Sequence, residues 1–294
     1  MKKLFLIYCL LLIEVLSTHA QNNESTKLTK SYLGQTPPGN TPVKFVPGII
    51  STEAHEYACS FSPDGNEFYF TRQNKVMFTK LVDNVWTEPQ LTPFAGNFSF
   101  EPFITPDNKW IYFQTGQVSQ GQLLMYTMYA ERAEKGWSEE KDPGPVFNPM
   151  KTMHISMANN GNIYTTDISG GMGSESLGII KMVNGNYDKL EKLGDPFNKT
   201  RNQQHPWIAL DESYIIFTIR KPGQDPVSVL FCSFKDKKGK WTEPVELKLG
   251  MEAGQPYVSN DGKYLFFSSG NPRVGSDIYW VSTKIIEELR PKDY

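Results

Sequence analysis

The chain has 294 residues, and its 30 Lys and Arg against 32 Asp and Glu leave a formal charge of −2. Without a clustered basic block it has no footprint for a phosphate backbone, which argues against nucleic acid as the main partner. Aromatic residues at 13%, with 23 Gly and 20 Pro, point to many short strands joined by tight turns, and a length of this order is ordinary for one all-β domain.

In chain order, residues 1–20 read as a secretory signal peptide. Lys2 and Lys3 form a charged start, Leu4 to Leu16 is apolar except for Glu14, and Thr18-His19-Ala20 offers small residues for cleavage. The apolar run falls short of the roughly 20 residues that span a bilayer, so cleavage is expected over a retained anchor. Cys9 sits too early and too deep in that run to carry a lipid. The mature chain keeps Cys59 and Cys232, has no further long apolar run, and should have no transmembrane segment. Residues 21–41 are polar and rich in turn-formers, and read as a flexible leader. Residues 42–290 are expected to form one domain, exported to the periplasm or the extracellular space, as a monomer.

Internal repetition decides the fold class. Five segments pair an apolar strand, a tight turn and a strongly aromatic strand: ACSFSPDGNEFYFT (58–71), EPFITPDNKWIYFQT (101–115), HISMANNGNIYTT (154–166), HPWIALDESYIIFT (205–218) and QPYVSNDGKYLFFS (255–268). Their turn anchors, Asp64, Asp107, Asn160, Asp211 and Asp261, are spaced by 43, 53, 51 and 50 residues. Ser62-Pro63-Asp64-Gly65 suits a type I turn, with proline presetting φ at the second position and glycine at the fourth. A third strand follows each repeat, and a fourth carries an aromatic residue, as at Trp86, Trp137, Tyr187 and Trp241. Four strands per repeat make a propeller blade. The fifth repeat lacks a fourth strand after Ser282, and Pro42–Pro47 looks like the missing piece. The expectation is a single all-β propeller of five blades, each of four antiparallel strands, closed by an N-terminal strand in the last blade. Such closure removes open sheet edges. Cys59 and Cys232 then lie in different blades, too far apart for a disulfide, which needs Cα atoms within about 7 Å.

The motifs FSPDGNEFYFT, TPDNKWIYFQT, SNDGKYLFFSSG and DIYWVS resemble TolB-type, WD40-like β-propeller repeats, over residues 42–282. The resemblance implies the propeller fold. For function it implies a range, since such propellers serve as binding scaffolds, as lids of larger enzymes and as free-standing enzymes. TolB itself has six blades and binds proteins, and five repeats here leave its partners without a basis for transfer.

Familiar catalytic signatures are missing. The run Gly171-Met172-Gly173-Ser174-Glu175-Ser176-Leu177-Gly178 only approaches a nucleophile elbow, and reads as a loop. More informative is the column six residues before each turn anchor: Ala58, Glu101, His154, His205 and Gln255. It begins the innermost strand of each blade, so these residues should ring the channel near one mouth. Glu101, His154, His205 and Gln255 can hydrogen-bond a ligand, and a divalent metal is admissible there. Arg72, Arg220 and Arg273 follow the second strands on the same face, and a cationic rim suits a carboxylate or another anionic group. The aromatic columns are expected to pack blade against blade, and Trp86, Trp137 and Trp241 to pin the outer strands.

The expected function is a secreted scaffold that binds a protein, peptide or glycan through its loop face and channel mouth. The alternative is a carbohydrate-active enzyme, a glycosidase or lyase, with Glu101 and Glu56 as candidate acids; no catalytic residue is assigned. Export should leave Gln21 as the first residue. Intact mass of the secreted protein is expected to show the loss of residues 1–20, and their retention would refute the signal peptide.

Overall fold

A computed structural model describes residues 31–200, 202–221, 227–271 and 275–292. The signal segment 1–20, leader residues 21–30 and Arg273 lie outside the described residues. Strand β1 (Val43–Lys44) precedes the repeats. Blade one holds β2 (Glu56–Phe61), β3 (Glu67–Arg72), β4 (Lys75–Val82) and two short outer pieces, β5 (Val85–Trp86) and β6 (Gln90–Leu91), both paired to β4. Blade two holds β7 (Ser99–Ile104), β8 (Trp110–Ser119), β9 (Gln122–Ala133) and β10 (Gly136–Trp137). Blade three holds β11 (Thr152–Met157), β12 (Ile163–Asp167), β13 (Ser176–Val183) and β14 (Asn186–Lys192). Blade four holds β15 (Gln203–Ile208), β16 (Tyr214–Lys221), β17 (Val227–Phe234) and β18 (Val245–Glu246). Blade five holds β19 (Gly254–Val258), β20 (Tyr264–Asn271) and β21 (Gly275–Ser282), and takes β1 as its outer strand, with Val43 opposite Trp280 and Lys44 opposite Tyr279. The five sheets form a five-bladed β-propeller.

The turn chemistry read from the repeats is present. Gly65 donates its N–H to the Ser62 carbonyl at 2.8 Å, and the Ser62 hydroxyl donates to Asp64 Oδ1 at 2.5 Å. Thr105 and Ser259 make the same hydroxyl contact with Asp107 and Asp261. The aromatic second strands pack between blades. Tyr69 and Val76 of blade one meet Ile104, Ile111 and Phe113 of blade two. Phe103 and Tyr112 of blade two meet Ile155 and Ile163 of blade three. Trp137 donates its indole N–H across blades to the Tyr69 hydroxyl at 2.8 Å. In blade four the fourth strand comes later than the Trp-bearing segment: Trp241 makes only an isolated bridge to Lys235, and the ladder resumes at Val245.

The joint between blades five and one is the most aromatic part of the core. Phe45, fully buried just after β1, sits edge-on to Phe266 and Trp280 of blade five and to Phe68 of blade one, with ring centroids 5.0–5.2 Å apart. Residues 31–41, expected to belong to a flexible leader, pack against the ring. Leu33 is 1% exposed, and Tyr32 packs against Phe61 and Tyr264 and donates its hydroxyl to Asp261 at 2.8 Å. Gln35 clamps the closing strand, accepting from Val46 N–H and donating to the Lys44 carbonyl. The polar composition of this stretch conceals two large apolar side chains and a glutamine that pairs with main chain. Cys59 and Cys232 are both free and buried. No helix among the described residues is long and apolar enough to cross a membrane.

Because Phe45 bridges the two ends of the ring, Phe45→Ala should lower the unfolding free energy by about 3–5 kcal/mol in urea titration. A loss under about 1 kcal/mol, the scale of a surface substitution, would show that the closing strand does not hold the ring.

Candidate functional site

Each inner strand breaks its pairing at the ring position. The register of β2 on β3 slips between Tyr57 and Cys59, and that of β11 on β12 between Met153 and Ile155. In β7, β15 and β19 the slip spans two residues, from Phe100 to Phe103, Gln204 to Trp207 and Gly254 to Tyr257. Pro102, Pro206 and Pro256 account for the wider gap, since proline has no N–H for the ladder. The bulged residues Ala58, Glu101, His154, His205 and Gln255 all take left-handed backbone, with φ of 43°, 55°, 61°, 51° and 45°. Such a conformation costs a non-glycine residue about 1–2 kcal/mol. It persists because the neighbouring blade fixes the freed main chain: Glu101 N–H donates to Thr71 Oγ1 at 2.9 Å, and His205 N–H to Thr166 Oγ1 at 2.8 Å. The bulges re-aim the side chains.

Three of those side chains converge. His205 Nε2 lies 3.2 Å from Glu101 Oε1, and His154 Nδ1 lies 3.7 Å from Glu101 Oε2. The two imidazoles stand edge to face with centroids 5.3 Å apart. Exposure is 4% for Glu101, 7% for His205 and 9% for His154. Burial pushes the Glu101 carboxyl upward, but His205, His154 and Gln255 outweigh it and hold the group below its ordinary value. Burial drives His154 down to about 4, opposed by Glu101 and aided by His205. The site at neutral pH therefore pairs a buried carboxylate with a neutral His154 imidazole. A carboxylate can only accept, so His205 Nε2 carries the proton of the Glu101 contact. Glu101 Oε2, His154 Nδ1 and His205 Nδ1 have no hydrogen-bond partner.

Glu101 and His205 face a cavity of about 290 Å³ at the polar mouth of the channel, and His154 is not among the residues that line it. Glu101, His205, Gln255 and Arg220 all line it. Arg220 is exposed and makes no ion pair among the described residues. Gln255 accepts from the Ser268 hydroxyl. The other end of the channel opens on a cavity of about 340 Å³ lined by Phe103, Met157, Trp207 and Val258 together with Ser156, Asn159, Ser259 and Asn260, with no Asp, Glu, Lys, Arg or His. The two mouths thus differ in chemistry.

Two sequence expectations are corrected here. Arg72 is no rim cation: its Nε sits 2.7 Å from Glu56 Oε1, and it donates to the carbonyls of Ile49 and Ile50. Glu56 is fully buried and also accepts from Thr52, so it is consumed by structure and does not line the cavity. Two cavity residues outside the repeat column, His55 and Glu252, escaped the sequence reading. His55 bonds Ser276 Oγ through Nδ1 at 2.7 Å and lies against Tyr57, while Glu252 comes from the segment entering blade five. Their only signal is position just before an inner strand. Among the described residues no group of three or more His, Cys, Asp or Glu has the geometry to hold a metal ion.

Solved structures of similar fold include an arabinanase from Bacillus subtilis, with 16% identity, a TM-score of 0.52, and coverage of 79% of this chain and 94% of that one. A glucose dehydrogenase matches with 10% identity, a TM-score of 0.50, and coverage of 82% and 99%. A putative TolB from Agrobacterium tumefaciens matches with 13% identity, a TM-score of 0.49, and coverage of 79% and 78%. The likeness is one of fold. No family model matches the sequence, and no curated protein does.

His154 makes stability depend on pH. Its value falls from 6.5 in the unfolded reference to about 4 in the fold. Across that window the unfolded chain binds a proton that the native chain refuses, so stability drops as pH drops, by up to about 1.4 kcal/mol per pH unit. Glu101 adds a further loss at lower pH, where its depressed carboxyl is finally protonated. Thermal melts from neutral pH downward should show this slope, and His154→Gln should flatten it; an unchanged slope would refute the neutral buried imidazole.

Proposed function

We propose that this chain is an exported propeller of the TolB-like, WD40-like kind that binds a glycan at its polar channel mouth. The observation that carries this is the convergence of a buried carboxylate and two imidazoles whose free atoms, Glu101 Oε2, His154 Nδ1 and His205 Nδ1, have no partner within the protein. Buried polar atoms left unpaired are expensive, by about 1–3 kcal/mol each, and Glu101 and His205 line the cavity, where the hydroxyls of a saccharide would pair with them. Gln255 and Arg220 add polar groups on the same cavity, and Tyr57 and Phe100 add ring faces. That mixture suits a molecule with hydroxyl edges and apolar faces. The leading segment 1–20 supports export to the periplasm or beyond, and a monomer suffices because the cavity is assembled within one chain.

Catalysis is the second reading, and Glu252 is what favours it: it lines the same cavity as Glu101, so the mouth holds two carboxyl groups. A glycosidase requires such a pair. Glu101, held below its ordinary value, would serve as nucleophile or base, with Glu252 as the second carboxyl group.

Glycan-array screening followed by calorimetry tests the binding reading. Glu101→Gln should weaken the best glycan by roughly tenfold or more, in line with about 1.5–3 kcal/mol for a charged hydrogen bond. Arrays that remain blank, or a Glu101→Gln variant that binds as well as the parent, would sink it. Cleavage of the bound glycan that Glu252→Gln abolishes would move the protein to the enzyme reading.

A further inference from the structure

The inner strands end at the second mouth as regularly as they begin at the first. One residue before the turn anchors stand Pro63, Pro106, Asn159, Leu210 and Asn260, and all five line the cavity of about 340 Å³. Three residues before the anchors of blades two to five stand Ile104, Met157, Ile208 and Val258, which form its wall. Phe103, Trp207 and Tyr257, one position earlier still, add rings. The cavity is therefore the end of the channel itself, and repeat columns without a charged member set its chemistry. It is also preformed. Proline holds φ at about −65° in two of the five rim turns, and the four wall residues are buried, at 1–6% exposure. Sites for small molecules are usually built in this way.

The polar groups of this lining are largely used by the protein. Ser156 Oγ accepts from Ile208 N–H at 3.0 Å. The Tyr257 hydroxyl accepts from Phe61 N–H at 3.1 Å and donates to Asn260 Oδ1 at 3.1 Å, while Asn260 Nδ2 donates to the Ser62 carbonyl at 2.7 Å. Among the described residues, no buried side-chain atom without a partner belongs to this cavity, whereas Glu101, His205 and Thr218 bring such atoms to the polar mouth. Charges just outside the rim cancel in pairs: Lys109 with Asp107 at 3.3 Å, Lys235 with Glu212 at 2.8 Å and Lys263 with Asp261 at 3.2 Å. Asn159 differs, because it is exposed and its side chain has no partner among the described residues.

We propose that the second mouth is a separate binding site for a small uncharged molecule with an apolar, ring-sized body and one hydrogen-bonding group. An ion entering a cavity without counter-charge would lose its hydration and gain nothing in return. A neutral apolar body gains from the area it buries against Phe103, Met157, Trp207 and Val258. Asn159 at the rim meets its one polar group. A globular partner would instead need apolar surface spread around the mouth. Of the exposed large apolar side chains among the described residues, Leu210 alone lines this cavity, at 38% exposure. The second mouth works in this way whatever the polar mouth binds.

Calorimetry at neutral pH with naphthol and naphthoate tests the site, since the two probes share a body and differ in charge. Naphthol should bind the secreted protein with a Kd below about 1 mM, and naphthoate about tenfold more weakly or worse. Leu210→Lys and Asn159→Lys each place a cation on the rim at an exposed position. Either should reverse the preference, weakening naphthol and drawing in naphthoate, a gain that a misfolded variant could not show. Naphthol that fails to bind at about 1 mM, equal affinity for the two probes, or a preference that neither rim variant changes would overturn the site. A parent protein that sediments as a dimer and becomes monomeric with Leu210→Lys would give the mouth to a second copy of the chain and overturn it as well.

Discussion

The inner strand of every blade gives up its own ladder at one level, and blades two and four hand the freed main chain to the blade beside them. Thr71 holds Glu101 and Thr166 holds His205 in this way, while one step further along Ser60 accepts from Ile104 N–H and Ser156 from Ile208 N–H. These contacts join neighbouring sheets through directed bonds where aromatic packing alone would let them slide. The same break turns the backbone left-handed and swings one side chain per blade toward the axis. Ring geometry and site geometry are therefore one constraint, and neither can be altered without the other.

The electrostatics follow from that placement. Glu101 is carried into a dry position that would ordinarily neutralise it, and the two histidines arrive at the same level by the same bulge in later blades. An ionised carboxylate survives there because His205 donates to it and His154 stands close. Burial at the same time keeps His154 without its proton. The outcome is a fixed arrangement of acceptors with unused capacity, positioned by main chain on several sheets and not by mobile loops, which favours recognition without rearrangement.

The channel divides the molecule by chemistry. One mouth carries the charged and imidazole side chains Glu101, Glu252, Arg220, His55 and His205; the cavity at the other is lined by Trp207, Met157 and Val258 with neutral polar groups such as Asn159 and Asn260. Rim height adds a second asymmetry. Blades alike in the core differ in how far the second strand runs beyond it, ending early at Arg72 in blade one and Asp167 in blade three and late at Ser119 in blade two.

Much of this was legible in the repeats. Turn anchors at near-constant spacing fix the blades, the alternation of aromatic residues fixes which faces pack, and the absence of a fourth strand in the last repeat places β1, because all of these are local and periodic. The ring column was legible for the same reason: equal offset from an anchor means equal height in a closed ring. Tertiary structure alone decided what each residue at that height meets. Arg72 and Arg220 occupy similar sequence positions, yet a buried Glu56 across its own hairpin captures the first and nothing described captures the second. His55 and Glu252 stand three residues before the ring position of their blades, in a column whose other members, Phe98, Lys151 and Asn202, share no chemistry with them, and Tyr32 and Leu33 sit in a stretch of polar composition. Their partners lie in other blades or at the far end of the chain, and pairing over such distances is set by closure of the ring, which no local pattern encodes.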